Sequence, residues 1–506
     1  MKRSIISALA LALVVSSNIN AQQDIPSMLG KLKPAIRFSE TERFYKLFNN
    51  QLAWKESQAK EFLQLLNEAP DLGLEKEDYS YNDLLRKQQK LVKELWDSLE
   101  TDIKLTDAAI HFFTDLKNGN RHPSLGYEGL KYKLPTGEIV PLLARYLQED
   151  SLSGLVTKLQ PNTAEFNNML QQLRTLNRIS SSKNFQEVKI SSNKVNGSNA
   201  SLLRKLYQLG FLDSIPATIS TKELVTKVIA AQKMFDLLAD GQLRPTTIAA
   251  FNIPINRRIK EIKLAMNWLR WMQGLRQNNI LVLNIPSAQI YIYNQDSLVL
   301  ESKAVVGKKN TPTPQLSSTI TEVILYPYWH VPKKIAVKEL LPRIRSNIGY
   351  LEENNYQVLN LKGQLVNPYQ VSWNKLDAGY FPYTIRQSTG CDNSLGIVKF
   401  NFYNPFSVYL HDTPNKILFG YNKRYYSHGC MRVEMFQEMA HMLLGRNHIA
   451  IDSLIEKGCL DQQSPIVLEV ENPLPVMVIY STVWYTANGS MKFYEDIYDK
   501  LPALLR

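Results

Sequence analysis

The hexapeptide Ser427-His428-Gly429-Cys430-Met431-Arg432 places a thiol directly after a glycine, and His411 closes the apolar run Val408-Tyr409-Leu410. A sulfur nucleophile served by an imidazole base attacks carbonyl carbon and carries the acyl group as a thioester. A free thiol of pKa about 8.5 is only about 3% thiolate at neutral pH, so the cysteine needs a neighbour that stabilises its anion. The helical pattern through Phe436, Met439 and Leu443 to Gly445 predicts Cys430 at the entrance of a helix, where the dipole favours negative charge. A nearby imidazolium is the other group that stabilises a thiolate. Gly429 predicts a turn whose successive N–H groups face the oxygen that turns negative during attack, an oxyanion hole near Gly429 and Cys430.

Residues two apart on a tight turn do not readily face each other. The base is therefore expected from a separate element, His411, and His428 reads as a turn residue. Ser427, His428 and Tyr409 flank the pair and are candidates for contact with substrate. Arg432 and Arg386 each suit either a bidentate grip on a carboxylate or a bond to a loop carbonyl, and Arg432 is favoured because it neighbours Cys430. His411, His428 and Cys430 lack the regular ligand spacing and the fourth ligand of a zinc site, so no metal and no cofactor is expected. Trp268, Trp271, Tyr326 and Trp329 lie in apolar patterns and read as core.

The elements that must position these residues follow from periodicity. From about Pro26 to Asn177 the pattern is helical, with Thr106 as a cap and Gly119 after a last turn. The polar stretch Ser180 to Ser201 reads as a linker, followed by a compact helical module and then an amphipathic helix bearing Ile262, Trp268 and Trp271. Strands are predicted over 280–285, 289–293, 297–300, 304–306, 320–326, 398–402 and 408–410, with a helical insertion beginning at Pro332. Two more, over 476–480 and 483–485, precede a turn at Asn488-Gly489.

Of 506 residues 44% are hydrophobic, enough for ordinary packed cores in about three domains, and the formal charge of +12 favours an anionic polymer as partner. Lys2 and Arg3, the apolar run Ile5 to Val15 and small Ala21 have the layout of a signal peptide, too short for the roughly 20 residues of a membrane span. Export argues against nucleic acid as the anion. Only Cys391, Cys430 and Cys459 are present, too few for a disulfide scaffold.

The blocks His411-Asp412-Thr413-Pro414 and Ser427-His428-Gly429-Cys430-Met431-Arg432 together resemble the signature of the YkuD-type L,D-transpeptidases. Tyr328-Trp329-His330-Val331-Pro332, Arg386-Gln387, Leu395-Gly396-Ile397-Val398-Lys399-Phe400 and Asp496-Ile497-Tyr498 extend the resemblance to the large YcbB-like subfamily. Asp240-Gly241 with Pro245-Thr246-Thr247 resembles the signature of that subfamily's peptidoglycan-binding module. The sequence departs from the pattern at His330, where Asn is usual, and at Cys391, where Pro is common.

The resemblance implies a multidomain α+β chain: a signal peptide over 1–21, a helical scaffold over 26–180, a peptidoglycan-binding-like module over 181–258, and a β-rich catalytic domain over 259–506 with an inserted helical cap over about 332–377. It implies a periplasmic, wall-associated enzyme with no membrane span after signal cleavage. Its partners would be peptidoglycan stem peptides and glycan, with other wall-synthesis proteins, and not nucleic acid. In the implied reaction Cys430 attacks the third residue of a tetrapeptide stem, His411 moves the protons, and a second stem accepts the acyl group. The alternatives are an L,D-carboxypeptidase, in which water accepts it, and a wall-binding scaffold without catalysis. Cys391 near Cys430 raises the question of a reversible disulfide.

Overall fold

The structure, a computed structural model, describes residues 24–89, 95–130, 137–149, 151–390, 392–445, 452–453 and 464–505. The expected signal peptide, Cys391 and Cys459 lie outside the described residues.

The amino-terminal part is helical. Helices Phe38–Leu47, Glu56–Asn67, Leu95–Asn118, Ile139–Gln148 and Leu152–Leu159 enclose one apolar cluster in which Phe44, Phe62, Phe112 and Phe113 are fully buried. Thr106 does not cap a helix, as its residue type suggested. It lies inside helix Leu95–Asn118 and accepts a 2.9 Å bond from Trp54 Nε1 in the core. A second cluster joins helices Ala164–Ser180, Ala200–Gln208, Thr221–Met234 and Pro245–Phe251 to helix Ile255–Arg276. The polar stretch before Ala200 is irregular yet tied down, because Asn252 exchanges two bonds of 2.8 Å with the backbone of buried Ile190. Asp240-Gly241 is a turn held by Gln232, whose Oε1 accepts the Gly241 N–H at 2.8 Å. Helix Ile255–Arg276 was expected to be amphipathic. It is instead buried on most sides, because helices of the amino-terminal part and strands of the carboxy-terminal part both pack against it.

Strands β1 (Tyr127–Glu128), β2 (Ile280–Asn284), β3 (Gln289–Asn294), β4 (Ser297–Gly307) and β5 (Leu316–Leu325) open the β-rich part. The apolar runs at 297–300 and 304–306 are one strand, β4. Side chains alternate across β2 and β3: Ile280, Val282, Tyr291 and Tyr293 meet the long helix, while Leu281, Leu283, Ile290 and Ile292 meet a third cluster under helix Phe436–Leu444.

Strands β6 (Trp329–His330), β7 (Tyr356–Leu359), β8 (Leu365–Val366) and β9 (Thr384–Gln387) form a separate sheet in the order β6-β9-β7-β8. With the helical residues 333–346 they enclose a small core of Leu340, Leu341, Ile344, Trp373 and Ile385. The insertion is thus helix and sheet together, and its sheet carries it from Trp329 to Gln387. Strands of two to four residues are too short to show alternation in the sequence. Residues Ala336–Leu340 are wound as a π-helix, with the Leu341 N–H bonded to Ala336 O, directly before Pro342, which has no N–H to give an α-helical partner.

Strands β10 (Val398–Phe402), β11 (Leu410–His411), β12 (Tyr425–Ser427), β13 (Met431–Val433) and β14 (Ile466–Ile479) complete the large sheet, ordered β1-β5-β10-β11-β13-β4-β3-β2-β14. Because β14 pairs with β5 as well as with β2, the path closes into a ring and hides its edges. A hairpin of β15 (Val483–Tyr485) and β16 (Met491–Phe493) turns at Gly489. Among the described residues no helix is long and apolar enough to cross a membrane.

Candidate active site

Three short strands set the site. β11 pairs with β10 antiparallel, Lys399 opposite His411 and Phe400 opposite Leu410. It pairs with β13 in parallel, Leu410 beside Met431 and His411 beside Arg432. Partners across a ladder share a face, and successive residues alternate. Phe400, Leu410 and Met431 therefore enter the core, and Lys399, His411 and Arg432 take the other face. Tyr409 and Cys430, two residues before His411 and Arg432, fall on that same face, and the Met431 N–H bonds Tyr409 O at 3.0 Å. Tyr409, His411, Cys430 and Arg432 line one cleft of about 970 Å³, whose opposite wall includes Trp329 and Glu339 of the insertion.

Cys430 does not stand at a helix N-terminus. It leads into β13, and helix Phe436–Leu444 starts six residues later, so the dipole of that helix does not act on the sulfur. The turn before it is clamped by side chains. Ser427 Oγ donates to Cys430 O at 2.5 Å and accepts the Gly429 N–H at 3.1 Å. Thr313 Oγ1 donates to Gly429 O and accepts the Gly307 N–H, each at 2.9 Å. Gly429 adopts φ +120, a conformation that favours glycine, while the Cys430 N–H has no hydrogen-bond partner among the described residues.

Burial raises the Cys430 thiol above its ordinary value, against the lowering influence of Tyr409, Lys399 and Arg432. Burial and then the charge of Arg432 hold the His411 imidazole down to about 3, against the carbonyls of Asp412 and Leu395. At neutral pH His411 is thus uncharged, not the imidazolium offered above as a stabiliser of the thiolate. Its Nδ1 faces the Asp412 carbonyl, which can only accept, so Nδ1 carries a proton. The thiol contacts the Tyr409 side chain and, at 4.0 Å, the Ser407 carbonyl, and makes no hydrogen bond to His411 among the described residues. Asp412 is fixed in turn: its Oδ2 accepts the Ile397 N–H at 3.0 Å and its other oxygen pairs with Lys416.

The sequence profile of the L,D-transpeptidase catalytic domain, YkuD, matches residues 278–456, and that of a scaffold domain matches residues 39–173. Residues 278–456 are a YkuD-family L,D-transpeptidase domain. The order of scaffold and catalytic domain is the YcbB-like architecture. A Haemophilus influenzae protein described as a candidate L,D-transpeptidase is 34% identical over 236 residues. That alignment takes in 47% of each chain, so this chain spans about half the length of its relative. Among solved structures, an L,D-transpeptidase from Mycobacterium smegmatis shares 13% identity over 40% of this chain and 58% of that one, at TM-score 0.20. Another from Stackebrandtia nassauensis shares 10% over 58% and 97%, also at 0.20, and neither pairing bears on the site.

Within this transpeptidase domain the residues singled out from sequence divide into two groups. Cys430, His411, Tyr409 and Arg432 meet at the cleft, and buried Arg432 Nε has no hydrogen-bond partner among the described residues. Ser427, expected on substrate, uses its hydroxyl inside the turn. His428 reaches across to Glu339 at 2.7 Å, and Tyr409 presents its side chain to the thiol. Arg386 lies in the insertion, bonded to Gln357 at 2.7 Å and stacked over Tyr328. Sequence reasoning gave no role to Lys399, Thr313, Glu339 or Tyr498. Lys399 had a signal, a lysine between Val398 and Phe400 in a central strand; Thr313 had none. No group of three His, Cys, Asp or Glu side chains is placed to hold a metal among the described residues.

Proposed function

We propose that this chain is an exported peptidoglycan L,D-transpeptidase that joins third-position diamino acids of neighbouring stem peptides through a Cys430 thioester. The observation that carries the reading is the common face of Cys430, His411 and Arg432 on the paired strands β11 and β13. With Nδ1 protonated, His411 Nε2 is the basic nitrogen. It takes the thiol proton as sulfur adds to the carbonyl of the third residue, then gives it to the amine of the departing terminal D-alanine. In the second half-reaction the acceptor amine adds to the thioester, loses a proton to Nε2, and the thiolate leaves. The Cys430 N–H, shaped by the Gly429 turn, is the donor for the oxyanion of each tetrahedral intermediate. Arg432 suits a substrate carboxylate, its guanidinium being close to the sulfur and its Nε unpaired among the described residues.

The insertion acts as a cap that keeps water from the thioester, and residues 181–258 act as a glycan-binding module. Residues 1–21 are read as the signal that exports the chain to the periplasm. The deciding experiment is mass spectrometry of products from disaccharide-tetrapeptide, comparing the parent with Cys430→Ala. A cross-linked dimer that the variant fails to make supports the proposal. Tripeptide alone would make the enzyme a carboxypeptidase, and unchanged substrate with retained wall binding would make it a scaffold.

A further inference from the structure

Lys399 sits where a lysine is costly. Its neighbours Val398 and Phe400 are fully buried, and the ladder sets it opposite His411 on the face that carries Cys430. Its Nζ lies 4.3 Å from the centre of the Tyr409 ring and makes no ion pair or hydrogen bond among the described residues. A half-buried ammonium with no carboxylate in contact loses hydration, and the Glu322 carboxylate, beyond ion-pair distance, offsets only part of that cost. Such a group is explained when a negative charge forms beside it during function.

We propose that Lys399 is a positioning residue whose ammonium, held against Tyr409, stabilises the negative charge that forms on the Cys430 sulfur. This rests on the reading of Cys430 as nucleophile and takes the place of the dipole of helix Phe436–Leu444 and of a charged His411. Consistent with it, burial lowers the Lys399 ammonium while Cys430 first and then Glu322 raise it, and Lys399 also helps to keep His411 neutral. One residue thus favours the thiolate and preserves the base.

The other charged groups around the sulfur do not substitute for it. Arg432 is the second cation on the face, but it is also the group suited to a substrate carboxylate. Glu322 on β5 accepts a bond from Asn401 at 2.7 Å, and Glu339 pairs with His428. Lys308, Lys334, Lys338 and Arg343 stand around the rest of the cleft, where water screens them more strongly. Tyr409, between Lys399 and the thiol, is held neutral by burial.

The test is the pH dependence of Cys430 alkylation by iodoacetamide in the full chain, read at the Cys430 peptide by mass spectrometry, so that Cys391 and Cys459 do not contribute. Lys399→Met should move the midpoint to higher pH by about one unit, the effect of removing one nearby opposite charge. Lys399→Arg should stay near the parent, and Lys399→Gln is a second neutral variant should the Met variant fold poorly by circular dichroism. A neutral variant that folds and titrates like the parent overturns the proposal, as does an Arg variant that shifts as far as the neutral ones. Because no peptidoglycan is present, a failure of the transpeptidase reading would leave this result unaffected.

Discussion

His428 Nε2 and Glu339 Oε1 lie 2.7 Å apart, joining the turn before Cys430 to the π-helical segment of the insertion. Two residues from the thiol, the strand system that carries Cys430 is thus tied to the unit that forms the other wall of its cleft. The extra residue in a π-helical turn redirects side chains relative to an α-helix, and here Glu339 within that turn meets His428.

Glu339→Gln should loosen that tie. Both side chains are partly exposed, so the pair is worth about 0.2 to 1 kcal/mol, and opening of the cap should rise by about 1.4-fold to fivefold. If the cap excludes water, the ratio of tripeptide to cross-linked dimer should rise by a similar factor, read by mass spectrometry of the products. An unchanged ratio would show that this pair does not govern the shielding.

The depressed His411 imidazole makes stability fall on acidification. Above pH about 6.5 it is neutral in both folded and unfolded chains; below that the unfolded chain takes a proton that the folded chain refuses down to about 3. The loss should reach about 2 to 3 kcal/mol by pH about 4.5. Asp102, whose carboxyl burial pushes up to about 6, acts with the opposite sign, and does so equally in any variant at position 411. His411→Gln should therefore flatten the slope of denaturation free energy between those two pH values. Parallel slopes for parent and variant would refute the buried neutral imidazole.

Much of this was legible in the sequence because two kinds of signal are local. The alternation in Val398-Lys399-Phe400 and the run Val408-Tyr409-Leu410-His411 marks strands, and a glycine before a cysteine marks a turn. What was not legible depends on neighbours distant in the chain. Cys430 looked like a helix start because helix Phe436–Leu444 follows closely, yet the intervening residues pair with β4 and β11 as strand β13. Ser427 looked like a substrate contact because nothing local shows that its hydroxyl closes the turn. The insertion's sheet was invisible because β9 finds its partner β7 some 30 residues earlier, Ile385 opposite Val358.

Tyr498→Phe should weaken the turn from behind. The Tyr498 hydroxyl donates to Gly307 O at 2.6 Å and receives the Thr313 N–H at 3.1 Å, and Thr313 holds Gly429 O. Removing the hydroxyl leaves both backbone groups unpaired in a largely buried place, at about 1 to 3 kcal/mol. Melting temperature should drop and kcat should fall with KM little changed, because the turn shapes the reacting atoms and not the rest of the cleft. A lower melting temperature with kcat intact would separate the carboxy-terminal tail from the site.

Gly429→Ala tests the oxyanion donor most directly. A Cβ there would sit 3.6 Å from Pro312 O and from Val408 Cγ1, ordinary contact, so space is not the obstacle. The obstacle is φ +120, which costs an L-residue about 1 to 3 kcal/mol. The chain either bears that strain or rotates the turn. Rotation would break the bonds of Gly429 to Ser427 and Thr313 and swing the Cys430 N–H away from the cleft. Alkylation of the thiol needs no oxyanion and should persist, whereas thioester formation should slow by about 10²- to 10³-fold, the usual loss for one such donor. Parent-like acylation in a folded Gly429→Ala protein would mean that another group stabilises the oxyanion.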